Sequence, residues 1–229
     1  MEGIISAFVF DLDGVIIDSN PVIESFWKSE AAKENIHLTD ELIREWIHGR
    51  KVGDTINGLF HHLNDKRKKE IEAAGYEFDS TMEPAALKGL VPLIQWLYTM
   101  RIPTGVVTSS HHSRMLKMLT RLDIQNHFAF FVTAEDVTSG KPHPAPYLKM
   151  SEKMKIPNYE CLVFEDAVSG IQSATAAGMQ SIGIGNEQAK PGLLLYGAID
   201  VIPDFTHLQV TDKNISVNDR SIFKTAIAL

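Results

Sequence analysis

The chain has 229 residues, 44% apolar and 22% charged, a composition suited to a soluble globular protein with either one large α/β domain or a core carrying an insert. A net charge of −7 argues against a general nucleic-acid or membrane-surface binder, since both need a basic face, but it leaves an anionic small molecule open as a partner. Cys161 is the only cysteine, so no intrachain disulfide is available, and the apolar N-terminal stretch is interrupted early by Asp11; the chain reads as a cytoplasmic-type protein, monomeric by default.

The first predicted strand is Phe8-Val9-Phe10, which runs directly into Asp11-Leu12-Asp13-Gly14. Alternation along a strand puts Asp11 and Asp13 on the same side at its carboxyl end, where ligands bind in open α/β sheets. Two carboxylates so placed repel unless a cation lies between them or one keeps a proton. Residues 19–86 then read as an all-helical insert. Pro21 suits a first helical turn ahead of Val22, Ile23, Phe26, Trp27 and Ala31, and Thr39 or Asp40 caps a helix carrying Leu42, Ile43, Trp46 and Ile47 that Gly49 ends. Val52, Ile56, Leu59, Phe60 and Leu63 form a third stripe, and the charge run from Asp65 to Glu70 reads as a solvated helix face. Trp27 and Trp46 read as helix-packing residues.

From Leu87 the pattern alternates between helix and strand. Further strands are expected at Thr104–Thr108, Phe128–Thr133, Cys161–Phe164, Ser181–Gly185 and Val201–Ile202, with helices between them. The fold class is therefore α/β: a three-layer, Rossmann-like parallel sheet core made of residues 1–18 and 87–229, with 19–86 inserted after the first strand. The tail from Asp212 is weakly patterned, and Ile222 to Leu229 is expected to form a docked helix or an ordered end.

Polar residues end the strands in a consistent way: Asp11 and Asp13 after the first, Thr108 and Ser109 after the second, Lys141 after the third, Glu165 and Asp166 after the fourth. In a parallel sheet these carboxyl ends share one edge. Acids clustered without histidine or cysteine suit a hard cation with oxygen ligands, Mg2+ rather than Zn2+, and Mg2+ commonly recruits a substrate phosphate as well. A lysine, a hydroxyl and N–H groups at a helix start would hold the remaining phosphate oxygens, which makes the chemistry phosphoryl transfer. Singly, each residue has an ordinary alternative as an exposed lysine, a helix cap or a first-turn acid; in this order, each at a strand end, the set argues for a site.

Four segments carry a resemblance: Asp11-Leu12-Asp13-Gly14-Val15, Val107-Thr108-Ser109, Gly140-Lys141-Pro142 and Phe164-Glu165-Asp166, the last continuing as Ala167-Val168-Ser169-Gly170-Ile171. In this order they resemble the motifs of the haloacid dehalogenase-like hydrolases over residues 5–205. The helical insert is similar to the cap of the subgroup holding β-phosphoglucomutase and small sugar-phosphate phosphatases. Gly140-Lys141-Pro142-His143-Pro144 and Trp46-Ile47-His48-Gly49 most resemble deoxysugar- and glycerol-phosphate phosphatases. The resemblance implies Asp11 as nucleophile, forming an aspartyl phosphate, and Asp13 as the acid and then base, with its main-chain carbonyl on the metal. It implies Asp11, Asp166 and Glu165 as further metal ligands, Thr108, Ser109 and Lys141 as the phosphoryl-binding set, and His48, Arg50 and Lys51 as specificity residues in the cap. Asp13 is expected to stay protonated in a drier, cap-side position while the cation and Lys141 keep Asp11 charged.

The substrate expected is a small phosphorylated metabolite. A phosphosugar mutase is the near alternative, but the mutases resembling this chain carry a histidine just after the first motif, and Asp18-Ser19-Asn20-Pro21-Val22-Ile23 has none. A phospho-receiver signalling module is the distant one; it phosphorylates an aspartate on a middle strand and has no helical insert. His111 and His112 read as a solvated first helical turn.

Overall fold

In the computed structural model, which describes residues 3–226, β2 (Ala7–Phe10) occupies the middle of a six-stranded sheet. It pairs with β3 (Thr104–Val107) on one side and β5 (Cys161–Glu165) on the other. Beyond them lie β4 (Phe130–Val132) and, at the opposite side, β6 (Gln180–Ile184) and β7 (Asp200–Ile202). All five pairings are parallel, and the order β4-β3-β2-β5-β6-β7 reverses direction between β2 and β5. The crevice at such a reversal, outside the carboxyl ends, is where this architecture binds ligands. The sheet is the predicted one, with strands a residue or two shorter or longer at their ends.

Strand alternation divides the core into two faces. Phe8, Phe10, Val106, Leu162, Phe164 and Ile182 pack on one side against α5 (Leu90–Thr99) and α6 (His112–Arg121). Ala7, Val9, Val107, Cys161 and Val163 face α7 (Ala145–Met154) and the small residues of α8 (Val168–Ala176). Continuous apolar strands covered on both faces are what an all-parallel sheet requires. α9 (Lys190–Leu195), which the sequence reading leaves out, adds Leu193 to a smaller cluster beside β6 and β7.

The insert folds as α1 (Asn20–Lys33), α2 (Asp40–Trp46), α3 (Val52–Leu59) and α4 (Asp65–Thr81) around an apolar cluster of its own, with Trp27, Ile43, Ile56, Phe60 and Ile71 buried. Thr39 caps α2 through its side chain, accepting from the Leu42 N–H, and Asn64 caps the charged start of α4 in the same way. The two strands of chain that join insert to core hold each other: Asp18 N–H donates to Ala85 O and Leu87 N–H to Ile16 O. Among the described residues no helix is long and apolar enough to cross a membrane.

Of the two forms expected for the C-terminal part, the structure shows the ordered end, built of strands. Instead of a docked helix from Ile222, it forms a second sheet, in which β1 (Ile4–Ile5) pairs in parallel with β10 (Arg220–Thr225), followed by β9 (Asn214–Val217) and β8 (Leu208–Val210). Asn218 and Asp219 both adopt positive φ, the requirement of a two-residue hairpin turn, so the β9–β10 connection closes tightly. Ile215, Val217 and Phe223 then reach the main core, so the alternation that makes this a sheet is short and irregular in sequence. Residues 227–229 of that expectation lie outside the described residues.

Candidate active site

Asp11 is the first residue after β2, and its neighbours come from the strands on both sides. Lys141 Nζ donates to Asp11 Oδ1 at 2.6 Å, to the Val107 carbonyl at 3.2 Å and to Glu165 Oε1. Tyr147 O–H, from α7, donates to the same Glu165 oxygen at 2.6 Å. Asp11, Lys141 and Glu165 are all buried. Burial works against the Lys141 ammonium, but Asp11 and Glu165 outweigh it and hold the lysine charged, its pKa above the ordinary lysine range. Burial lifts Asp11 to about 7 against the pull of Lys141, and lifts Asp166, aided by the Asp11 charge, to about 7 as well. Glu165 is also pushed up, by burial first and despite Lys141. One cation among three crowded acids leaves a charge deficit.

That deficit, and the donor set, fit a divalent cation. Asp11, Glu165 and Asp166 each offer a carboxylate oxygen within 4.8 Å of the others. Glu165 Oε2 is buried with no hydrogen-bond partner, an acceptor left over by the protein's own contacts. The room is made by glycines: a Cβ at Gly170 would overlap the Glu165 carboxylate, and one at Gly14, which also holds φ at +74°, would overlap Asp166. Hard oxygen ligands alone suit a cation of the alkaline-earth type. The Asp13 carboxylate is outside this cluster.

Asp13 has different partners altogether. The chain leaves strand geometry after Phe10 and turns back, with Ile16 and Ile17 N–H both donating to Leu12 O; the two aspartates, expected on one side, both line one cavity while taking different partners. Arg114 of α6 grips Asp13 with both terminal nitrogens, at 2.6 and 2.9 Å, and Ser19 Oγ and Ser110 Oγ donate to it at 2.6 and 3.3 Å. Burial alone would raise Asp13, but the guanidinium and the two hydroxyls more than offset it and hold the carboxyl below its usual range. Arg114 thus opposes the expected protonation of Asp13, while the expected charge on Asp11 rests on a cation in addition to Lys141. Asp13 stands as a paired carboxylate, and Asp11 and Asp166 are the acids that burial pushes towards their protonated forms.

The other expected residues are distributed along the boundary between core and insert. Thr108 is buried beside the site and its hydroxyl accepts from Ser110 N–H at 3.0 Å. Ser109 Oγ donates to the Gly49 carbonyl at 2.9 Å, so its hydroxyl holds the insert's loop to the core. Lys51 does the same from the opposite side, with its ammonium on the Ala134 and Val137 carbonyls at 3.1 and 3.3 Å. His48 faces Glu24 at 3.2 Å, and burial holds its pKa below the ordinary histidine range. Arg50 donates to the Glu45 carbonyl and lies over the Trp46 ring. A cavity of about 90 Å³ lies between insert and core, lined by Asp11, Asp13, Thr108, His48 and Arg50 together with Ile23, Phe26 and Trp27. Trp27 thus lines the cavity besides packing in the insert.

Sequence reasoning missed Arg114, Asn20 and Asp79. Asn20 Nδ2 donates to Asp166 Oδ2 at 2.5 Å, and Asp79 of α4 accepts from Arg114 Nε at 2.8 Å. An arginine in the first turn of an amphipathic helix and an aspartate in a charged one carry no local signal. Only the packing of α6 under α4 brings them to the site.

A model of the haloacid dehalogenase-like hydrolases matches residues 8–184. The chain is 33% identical over 193 residues to hexitol phosphatase A of Escherichia coli, covering 81% of this chain and 86% of that protein. It is 32% identical over 196 residues to glycerol-1-phosphate phosphohydrolase 2 of Saccharomyces cerevisiae, covering 79% and 74%. A β-phosphoglucomutase from Clostridium difficile shares the fold, with a TM-score of 0.75 at 24% identity, covering 90% of this chain and 94% of that one. With its matched motifs gathered at the carboxyl edge of one parallel sheet, this chain belongs to the haloacid dehalogenase-like hydrolase family.

Proposed function

We propose that the protein is a Mg2+-dependent phosphatase that hydrolyses a small phosphomonoester, a sugar or polyol phosphate, through an aspartyl phosphate on Asp11. The observation that carries the reading is the pairing of two unlike aspartates. One is enclosed with Lys141, Glu165 and Asp166, and the other is held separately at the mouth of the cavity by Arg114. Relatives named for hexitol and glycerol phosphates support the substrate class. A hard cation held by Asp11, Glu165, Asp166 and the Asp13 carbonyl would neutralise charge on the phosphoryl oxygens and keep Asp11 ionised. Lys141 and the Thr108 hydroxyl complete the phosphoryl cradle.

Asp11 Oδ attacks phosphorus, the ester P–O bond breaks, and Asp13 delivers a proton to the departing alkoxide oxygen. A water then attacks phosphorus and gives its proton to Asp13 as the Asp11–phosphorus bond breaks, releasing orthophosphate. The charge state imposed by Arg114 prepares Asp13 for the second step, where it acts as base, and requires it to collect a proton before the first.

Hydrolysis is favoured over mutase chemistry by the insert side of the cavity. A mutase has to hold a second phosphate there; the insert side offers Ile23, Phe26, Trp27, Ile47 and Phe78 with the Asp79 carboxylate, and Arg50, which also lines it, is engaged by the Glu45 carbonyl and the Trp46 ring. Where the mutases carry a histidine after the first motif, Ser19 and Asn20 here hold Asp13 and Asp166 in place. The test is initial rates across glycerol, hexose, deoxyhexose and hexitol phosphates with Mg2+. Phosphate release that disappears in Asp11→Asn and in excess chelator is the expected result. Retained turnover in either case removes the mechanism, and isomerisation primed by a sugar bisphosphate faster than hydrolysis replaces it with the mutase.

A further inference from the structure

A second, larger cavity of about 700 Å³ lies outside the first, also between insert and core, lined by Lys51, Tyr76, Ser80, His111 and Lys117. The two cavities share a short set of lining residues: Arg50, Val52, Asp79, Ser109, Ser110 and Arg114. At the centre of this partition the Arg114 guanidinium is fully engaged. Nε is on Asp79, Nη1 on Asp13 and on Ser110 Oγ at 2.8 Å, and Nη2 on Asp13. Its side chain is 10% exposed, and the guanidinium and the Asp79 carboxylate that meets it both border the two volumes.

The pair belongs to a seam that runs the length of α6. His111, Arg114, Lys117 and Arg121 follow helical spacing and meet, in the same order, Tyr76, Asp79, the Ser80 carbonyl and the Met82 carbonyl on or just past α4. The outer rungs are solvent-exposed, where such contacts contribute little. The Arg114–Asp79 rung is the buried one, and it alone reaches the inner cavity. Loss of Asp79 leaves Arg114 still paired with Asp13, so the arginine's charge is not stranded.

We propose that the Arg114–Asp79 pair is a specificity wall: it closes the leaving-group end of the inner cavity, admitting phosphate esters of short polyols and single sugars and excluding those whose leaving group continues into the outer cavity. This rests on the phosphatase reading above. On this reading a small leaving group is kept to the inner side, and a disaccharide phosphate extends into the outer volume. A wall of this kind acts by shape, because opening it supplies the outer volume without altering Asp11, Lys141 or the acid cluster.

The experiment compares kcat/KM for glycerol phosphate, a hexitol phosphate and trehalose 6-phosphate in the wild type, Asp79→Ala, Asp79→Ser and Asp79→Asn. Both small replacements remove the carboxylate and are expected to raise the ratio of trehalose 6-phosphate to glycerol phosphate by roughly tenfold or more, chiefly through KM, a size of effect ordinary for pocket contacts. Asp79→Asn keeps the side-chain volume and is expected to keep the wild-type ratio. An unchanged ratio in both small variants overturns the wall, as does an equal relaxation in Asp79→Asn, which would make charge the cause. A wild-type protein inert towards all three esters overturns the phosphatase reading itself, and the assignment of leaving-group space falls with it.

Discussion

Asp11 and Asp13 are separated by a single leucine and sit in opposite surroundings. Asp11 is packed between β3 and β5 with one lysine and two further acids, all supplied by strand ends or the loops next to them, and burial drives its pKa up. Asp13 lies where the core meets the insert, 22% exposed at the side chain, and is held by an arginine and two hydroxyls that drive its pKa down. The first environment has too much negative charge and needs a cation. The second is already neutralised by the protein. The Asp11 environment is therefore set by one sheet edge, and the Asp13 environment by α6, the loop before it and the start of the insert.

Removing Lys141 tests the first environment hardest. Lys141→Ala leaves Asp11 and Glu165 facing each other across a buried space, and is expected to cost about 3–5 kcal/mol of stability near neutral pH and at least about 100-fold in turnover. Urea unfolding read at two pH values checks the cause. Near pH 5, below the raised value of Asp11, the stranded acids take up protons and the loss of stability shrinks. A loss that is the same at both pH values would mean that charge is not its source.

Arg114→Ala makes the corresponding break at Asp13. Without the guanidinium, Asp13 titrates at higher pH, so the acidic limb of the pH–rate profile moves upward, with turnover at neutral pH down by roughly 10- to 100-fold. Asp13 is partly open to water, so the stability change is expected to be well below that of Lys141→Ala. An unmoved limb separates Asp13 from the rate.

Metal binding sharpens the contrast without a mutation. Asp11 and Asp166 both titrate about 7 in the folded chain against an ordinary value of 3.8, so the folded state binds more protons than the unfolded between those values and loses stability as pH rises through that window. The cation competes with those protons. The stabilisation produced by Mg2+ is therefore expected to be larger near pH 8 than near pH 5.5, by roughly 1–3 kcal/mol, read as a larger rise in Tm. A rise independent of pH would place the ion elsewhere. The smallest effect is expected at the insert's edge: Lys51→Ala removes two surface contacts to carbonyls and is expected to change stability by less than about 1 kcal/mol, with kcat nearly unchanged in initial-rate assays.

These two environments also differ in how far they could be read from the chain. The acids at the ends of β2 and β5 and the lysine in the loop after β4 are each next to a recognisable apolar strand, and parallel pairing leaves only one edge on which they can meet. The insert was legible as helices from its apolar stripes and the cap at Thr39 or Asp40, because those are local patterns. Arg114, Asp79 and Asn20 were not, because their partners lie 101, 35 and 146 residues away. The pull on Asp13 escaped for the same reason: it depends on an arginine that the sequence places on an ordinary amphipathic helix. The second sheet escaped because its strands are short and one of its partners, β1, lies at the other end of the chain.

The central claim is that phosphate passes through Asp11. It is tested most directly by rapid mixing of the wild type and the Asp13→Asn variant with Mg2+ and p-nitrophenyl phosphate, whose leaving group departs without a proton, acid quenching within one turnover, and peptide mass spectrometry of the first strand. A phosphoryl adduct on Asp11 that accumulates in Asp13→Asn, where the second step lacks its base, is the result expected. Phosphate release in the wild type with no adduct on Asp11 at any quench time, in either protein, would contradict it.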